Sequence, residues 1–342
     1  MCFKTPDDPA IRQAVATILQ PQARFVRQII KPSPTGRCTC DTCSPDKYKA
    51  DLDLHPRVMC GRTARGKKYY LLNFLGHEPL DLAAAAIRSF DCNKSEMTHG
   101  QRRALDGWSA WLQKTSPVLN SGNRVELDPA LMEEGITLLN RFFFLDGIKD
   151  YHFAWGYIED SLGLTTHPTF PYVGTVHIAV NPDHDEDETQ QRTSRSNAVL
   201  GTLLHELIHA FIGQFGCPSS RCKQLSCQYR FDVNYGRTGH ARAWQWLAEA
   251  VERVANYRLG IKVDLGRRFH SQIEYVKTGH EPSVCDAARC FDGLVLTDLE
   301  KRLPTYCVGG AGSAMHYYLH ALDVPVAETV TTAGTQRDGG SS

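Results

Sequence analysis

His205-Glu206-Leu207-Ile208-His209 spells H-E-x-x-H inside the apolar run TLLHELIHAF. Residues four apart on a helix share a face, so both imidazoles can reach one ion. Glu206 follows the first histidine and can act on a water held by that ion. This is the residue set of a zinc hydrolase: neutral imidazoles hold the metal, an open coordination position takes water, and a glutamate accepts the proton. Buried histidines and a buried glutamate are costly without partners, and a metal supplies them. The competing reading is a satisfied polar cluster in the core.

A helix must carry these residues. Val199, Leu200, Leu203, Leu204, Leu207, Ile208, Phe211, Ile212 and Phe215 recur at three- and four-residue steps, the period of a core helix. The pattern predicts a helix over 197–215, started by Ser194 or Ser196 and ended at Gly216. A second stripe of Trp244, Leu247, Ala248, Val251, Val254 and Ala255 predicts a helix over 240–258, ended by Gly260. A catalytic zinc takes three protein ligands. His240, at the start of this second helix, is the leading third ligand; Asp232, Glu249 and Glu252 are the alternatives.

Together these segments resemble the SprT-like zinc metalloprotease family, to which the eukaryotic protease Spartan belongs. Leu138–Phe144 is similar to the helix that opens the family domain, and Val176–Pro182 to the strand before its metal-binding helix. Leu200–Ala210 is similar to that helix. Gly239-His240 with Trp244 is similar to the family's Gly-His segment and its aromatic four residues on. The resemblance implies an α+β fold with a zincin-like core. It implies His205, His209 and His240 as ligands of a catalytic Zn²⁺, Glu206 as general base, a protein substrate, and action on DNA-associated proteins.

The chain departs from the pattern in the thirty residues between His209 and His240, a stretch holding Cys217, Cys222 and Cys227. It carries no C-terminal ribbon of paired C-x-x-C knuckles, and no evident ubiquitin-binding finger or clamp-binding peptide of the Spartan type.

The chain has 342 residues, of which 42% are hydrophobic, enough for one large or two modest cores. With 38 basic and 38 acidic side chains, wholesale electrostatic attraction to nucleic acid is not expected. A local patch of Arg62, Arg65, Lys67 and Lys68 beside Tyr69 and Tyr70 could meet phosphates and bases, or simply be a solvated loop. No run approaches 18 uninterrupted apolar residues, and the N-terminus lacks the apolar core of a signal peptide. An intracellular protein, nuclear or cytoplasmic, with no membrane span is therefore expected. The twelve cysteines then read as thiols or metal ligands rather than disulfides. Cys38, Cys40 and Cys43 with Cys60 form one group, and Cys217, Cys222 and Cys227 with a nearby histidine another.

Four regions are expected: a mainly helical 1–120, a metalloprotease domain over 121–262, an extension over 263–323 and a disordered tail over 324–342. Within the first, helices are expected at 9–30, 79–92 and 98–115, the last ended by Ser116-Pro117, with a short strand over Tyr69–Leu75. Asp128 and Pro129 start a helix to about Leu145. Residues 151–159 and 175–180 read as strands, the latter with an exposed edge on which an extended substrate could lie. Asp183–Glu188 is an acidic, solvated loop. Tyr235 is a candidate to assist an oxyanion. The alternative to an enzyme is a zinc-stabilised binding module with little turnover.

Overall fold

In a computed structural model, the described residues are 55–278, apart from 65, 122–126, 159–160, 169–173, 184–193, 219–221 and 223–224, together with Asp286. The expected helix at 9–30, the cysteines at 38, 40 and 43, Arg65, nearly all of the acidic run and the tail lie outside them.

The fold is mixed α+β. It opens with a hairpin of β1 (Met59–Arg62) and β2 (Lys68–Leu71), followed by α1 (Pro79–Phe90) and α2 (His99–Leu119). Glu78 caps α1 by accepting the N–H of Asp81, and Thr98 and Gln101 close a reciprocal capping box on α2. Contrary to the expected break, α2 runs through Pro117 to Leu119. The proline falls in the last turn, where removing one intrahelical hydrogen bond leaves most of the helix intact.

Next come α3 (Pro129–Phe143), β3 (Tyr151–Trp155), β4 (Gly163–Thr166) and β5 (Val176–Val180). Asp128 caps α3 by accepting the N–H of Ala130 at 2.9 Å, with Pro129 as first helical residue. The sheet order is β3-β5-β4, with β3 parallel and β4 antiparallel to β5. The 175–180 segment is thus the central strand, paired on both sides, and offers no edge to a peptide. The edge beside the helix carrying the H-E-x-x-H motif belongs to β4, which packs on that helix.

That helix, α4 (Arg195–Phe215), starts at Ser194, whose Oγ accepts the N–H of Asn197, and ends at Gly216. By length and hydropathy it could cross a membrane, but 78% of its apolar window is buried inside the fold. It is the central core helix. After α5 (Leu225–Asn234) come α6 (Arg242–Val254), a π-helical turn (Ala255–Leu259) and α7 (Arg267–Thr278). Gly260, at φ 69°, supplies the left-handed residue that ends the turn.

One apolar core runs through the described fold, with Phe90, Trp108, Met132, Phe153, Leu204, Trp244 and Val251 all in it. α1 packs on α6, and Trp108 Nε1 on α2 donates to the carbonyl of Leu259 at 3.1 Å. Residue 120 is therefore not a packing boundary. The apolar stripe of α6 is buried by α1, which lies before it, as well as by α4.

Candidate metal centre

The imidazoles of His205 and His209, one turn apart on α4, converge with that of His240. Their Nε2 atoms are 3.2 Å (His205–His209), 2.9 Å (His209–His240) and 3.0 Å (His205–His240) apart. Hydrogen bonding does not explain this triangle. His205 Nδ1 lies 3.0 Å from the carbonyl oxygen of Leu265. A carbonyl only accepts, so Nδ1 carries the proton and Nε2 a lone pair. His240 Nδ1 lies 2.9 Å from Thr238 Oγ1, and that hydroxyl donates to the Glu274 carboxylate. Nδ1 of His240 is then the donor to Thr238, and its Nε2 also holds a lone pair. Two lone pairs facing each other at 3.0 Å repel unless a cation lies between them. Three imidazoles holding a tetrahedral ion at about 2.0–2.1 Å would have nitrogens about 3.3 Å apart. The donor set fits a metal ion.

The surroundings keep these rings neutral. Burial holds His205 down at about 4 and lowers His209 and His240 well below the usual imidazole value, with the neighbouring rings lowering the latter two further. At neutral pH no proton has to leave before a metal binds. Trp244, fully buried on α6, lies against all three rings, with centroids 4.7 Å from His205, 5.9 Å from His209 and 4.9 Å from His240.

His240 does not stand on the second helix as expected. It lies just ahead of α6, in a loop of Gly236 (φ 86°), Arg237, Thr238 and Gly239 (φ 78°). A β-carbon at Gly239 would lie 3.1 Å from His209 Nδ1. Glycine is thus required here twice, for the left-handed backbone and for the close approach. Glu274 on α7 fastens the loop: its carboxylate accepts from the N–H groups of Arg237 at 2.6 Å, Thr238 at 2.9 Å and His240 at 3.3 Å, besides the Thr238 hydroxyl. A carboxylate acting through a hydroxyl on a ligand's far nitrogen fixes tautomer and ring orientation.

The other proposed ligands are elsewhere. Asp232 is exposed. Glu249 pairs with Arg253 at 3.0 Å. Glu252 pairs with Arg267 at 2.6 Å and accepts the N–H of Leu265 at 2.8 Å, which positions the carbonyl that orients His205.

Glu206 is buried on the next position of the same helix turn and is not among the residues converging on the ion site. Thr165 Oγ1 on β4 donates to its Oε2 at 2.7 Å and to its backbone carbonyl at 3.0 Å. Burial pushes its carboxyl up to about 7, against the lowering effect of that hydrogen bond. Gly163 on β4 makes room for it, since a β-carbon there would sit 2.7 Å from Oε1.

Several contributors escaped the sequence reading. His270 on α7 stacks on His240 at 4.1 Å and lies 4.6 Å from His205. Together with Glu274 and the Leu265 carbonyl, it carries the site past residue 262, beyond the expected domain end. Only Thr238, two residues from His240, left a local hint. Tyr235, which the sequence did offer as an oxyanion candidate, stacks on Phe231 at 4.6 Å, and its ring lies 3.6 Å from the β-carbon position of Gly239.

Comparison of the chain with protein-family models, with curated proteins and with solved structures finds no match.

Proposed function

We propose that this chain is a zinc-dependent peptidase that hydrolyses peptide bonds with Glu206 as general base. The observation that carries the reading is the convergence of His205 and His209, one turn apart on α4, with His240, beside a buried carboxylate on the same turn of α4 that stays outside the ligand cluster. A purely structural metal site has no use for such a carboxylate. Three neutral imidazoles suit zinc, and three protein ligands leave a position open.

Zinc bound there supplies a Lewis acid to the scissile carbonyl and lowers the pKa of a water toward 7. Glu206 takes the proton of the attacking water and returns it to the leaving amine nitrogen. Thr165 occupies Oε2 of Glu206, which leaves Oε1, on the Gly163 side, to accept the proton. In the metal-free site burial raises this carboxyl above the usual glutamate range, which favours the protonated form that Glu206 must reach when it takes the proton. β4 holds the base, and among the described residues its outer edge is unpaired. An extended peptide added along β4 reaches the site as a further strand.

This reading agrees with the SprT-like resemblance, which also implies DNA-associated protein substrates. Arg62 and Lys67 are exposed on the β1–β2 hairpin and supply cationic groups for a nucleic-acid backbone.

The test is cleavage of a denatured protein and of a DNA-bound protein, with and without DNA, by the zinc-loaded full chain. The wild type is expected to cleave. Glu206→Gln, purified identically, is expected to keep its zinc and lose about 10²–10⁴-fold in rate. Equal cleavage by both proteins removes Glu206 as the base. No cleavage by zinc-loaded wild type across all substrates and pH values leaves a binding module.

A further inference from the structure

A second group of metal-ligating side chains lies at the far end of α4. Cys217 follows the Gly216 cap, Cys222 lies in the segment after it, and Cys227 stands on α5. The fourth member is His55, 172 residues before Cys227 in sequence. His55 Nε2 is 3.1 Å from Cys227 Sγ, Cys227 Sγ is 3.9 Å from Cys217 Sγ, and the four ligand atoms all lie within 4.8 Å of one another. None of the three cysteines is in a disulfide.

We propose that His55, Cys217, Cys222 and Cys227 bind a second zinc ion as a closed, structural Cys₃His site. Around a tetrahedral zinc, sulfur atoms lie about 3.8 Å apart and a sulfur and an imidazole nitrogen about 3.6 Å apart; the 3.9 Å and 3.1 Å separations here lie close to these values. Cys217 and Cys227 are buried, and a cavity of about 10 Å³ is lined in part by His55, Cys217 and Cys227, room for one water-sized body. Four protein ligands leave no open position, so the role is structural and distinct from that of the His205 centre.

The ligands are held in place by contacts that do not involve the metal. The buried His77 donates from Nδ1 to the carbonyl of Pro56 at 2.6 Å, and its own carbonyl accepts the N–H of Cys217 at 2.7 Å. One residue thus anchors both the arm carrying His55 and the exit of α4. The site ties that arm to the segment that leads through α5 to the His240 loop. Closing so long a loop by metal binding adds the binding free energy to folding. The proposal does not depend on peptidase activity.

The test is metal content and cobalt spectroscopy of the full chain, purified under reducing conditions. The wild type is expected to hold about two zinc ions more tightly than a competing chelator, with His205→Ala and Cys222→Ser each losing about one. Cobalt-loaded His205→Ala should show the near-ultraviolet thiolate-to-cobalt charge-transfer band that an all-imidazole site cannot give. The band should weaken in Cys222→Ser and survive replacement of Cys38, Cys40 and Cys43 by serine. His55→Cys should keep the second zinc, while His55→Ala should release it to chelator at least about ten times faster; this pair decides the matter if Cys222→Ser folds poorly. The proposal is overturned by full zinc retention in Cys222→Ser, by equal release from the two His55 variants, by a band that vanishes with the N-terminal cysteines instead, or by a Cys217–Cys227 disulfide in the reduced preparation.

Discussion

At the scale of residues, the candidate centre is an arrangement of proton positions. Leu265 and the Thr238–Glu274 pair hold protons on the far nitrogens of His205 and His240, which aims two lone pairs at one point. Glu274→Gln replaces an acceptor-only group with one that also presents N–H donors to the Thr238 hydroxyl and the loop amides. Metal affinity is expected to fall about 10–100-fold, measured by competition with a chromophoric chelator; unchanged affinity would remove Glu274 from the support of the site. Glu206 carries a stability cost of known sign. Burial pushes its carboxyl in the metal-free fold up to about 7, above the ordinary glutamate value of about 4.5. The stability it contributes is therefore full below pH 4.5 and is lost as pH rises through 7. The cost at pH 8 is about 3 kcal/mol in the metal-free protein. Metal-free Glu206→Gln should melt higher than metal-free wild type at pH 8, with the difference shrinking at pH 4.5; the histidines are common to both proteins and cancel. A lower melting temperature for the variant at pH 8 would contradict the strained-base reading. His205, Glu206 and His209 were legible in the sequence because helix periodicity alone sets their shared turn. Glu274 and His270 were not, because they reach the site by tertiary packing from α7, and no spacing rule connects them to the motif.

At the scale of elements, β4 and α7 do work that the sequence patterns had assigned elsewhere. The alternation in 175–180 identified a strand correctly, but alternation reports which face is buried and not which neighbours pair. The edge beside the site belongs instead to the four-residue β4, too short for a clear pattern. Gly163→Ala on that strand would put a β-carbon 2.7 Å from Glu206 Oε1 and from Thr202 Cγ2. The base must then shift, and the account predicts that kcat falls at least about tenfold with zinc content unchanged, since a small displacement of a reacting group is costly. A kcat equal to that of wild type would show that Glu206 has slack in its seat. α7 bears on the expected domain end at 262. A chain ending there lacks the Leu265 carbonyl and the Glu274 carboxylate that orient two ligands. It should lose the His205-centre metal on dialysis against chelator, whereas a chain ending at 286 should keep it. Retention by the shorter chain would make α7 dispensable.

At the scale of the whole molecule, the α+β class was legible from two long apolar periodicities and a few alternating runs. The unity of the core was not. Pro, Ser and Gly near residue 120 marked a break in local structure, yet the apolar faces of α1 and α2 are buried by α6 and α3, far along the chain in one case. Trp108, 2% exposed and stacked on Trp111 at 4.8 Å, donates across this junction to Leu259. Trp108→Ala should cost about 3–5 kcal/mol in a single urea transition that also releases the metal; two separate transitions would restore a domain boundary at 120. The proposed chemistry depends above all on what lies between His205, His209 and His240. Its most direct test is anomalous diffraction at the zinc edge from crystals of the zinc-loaded full chain. The predicted result is a peak about 2.0–2.1 Å from all three Nε2 atoms, with a non-protein oxygen as fourth ligand and the Glu206 carboxylate outside the coordination shell. A fourth protein ligand at that peak, or no peak there in a protein that holds zinc elsewhere, would contradict it.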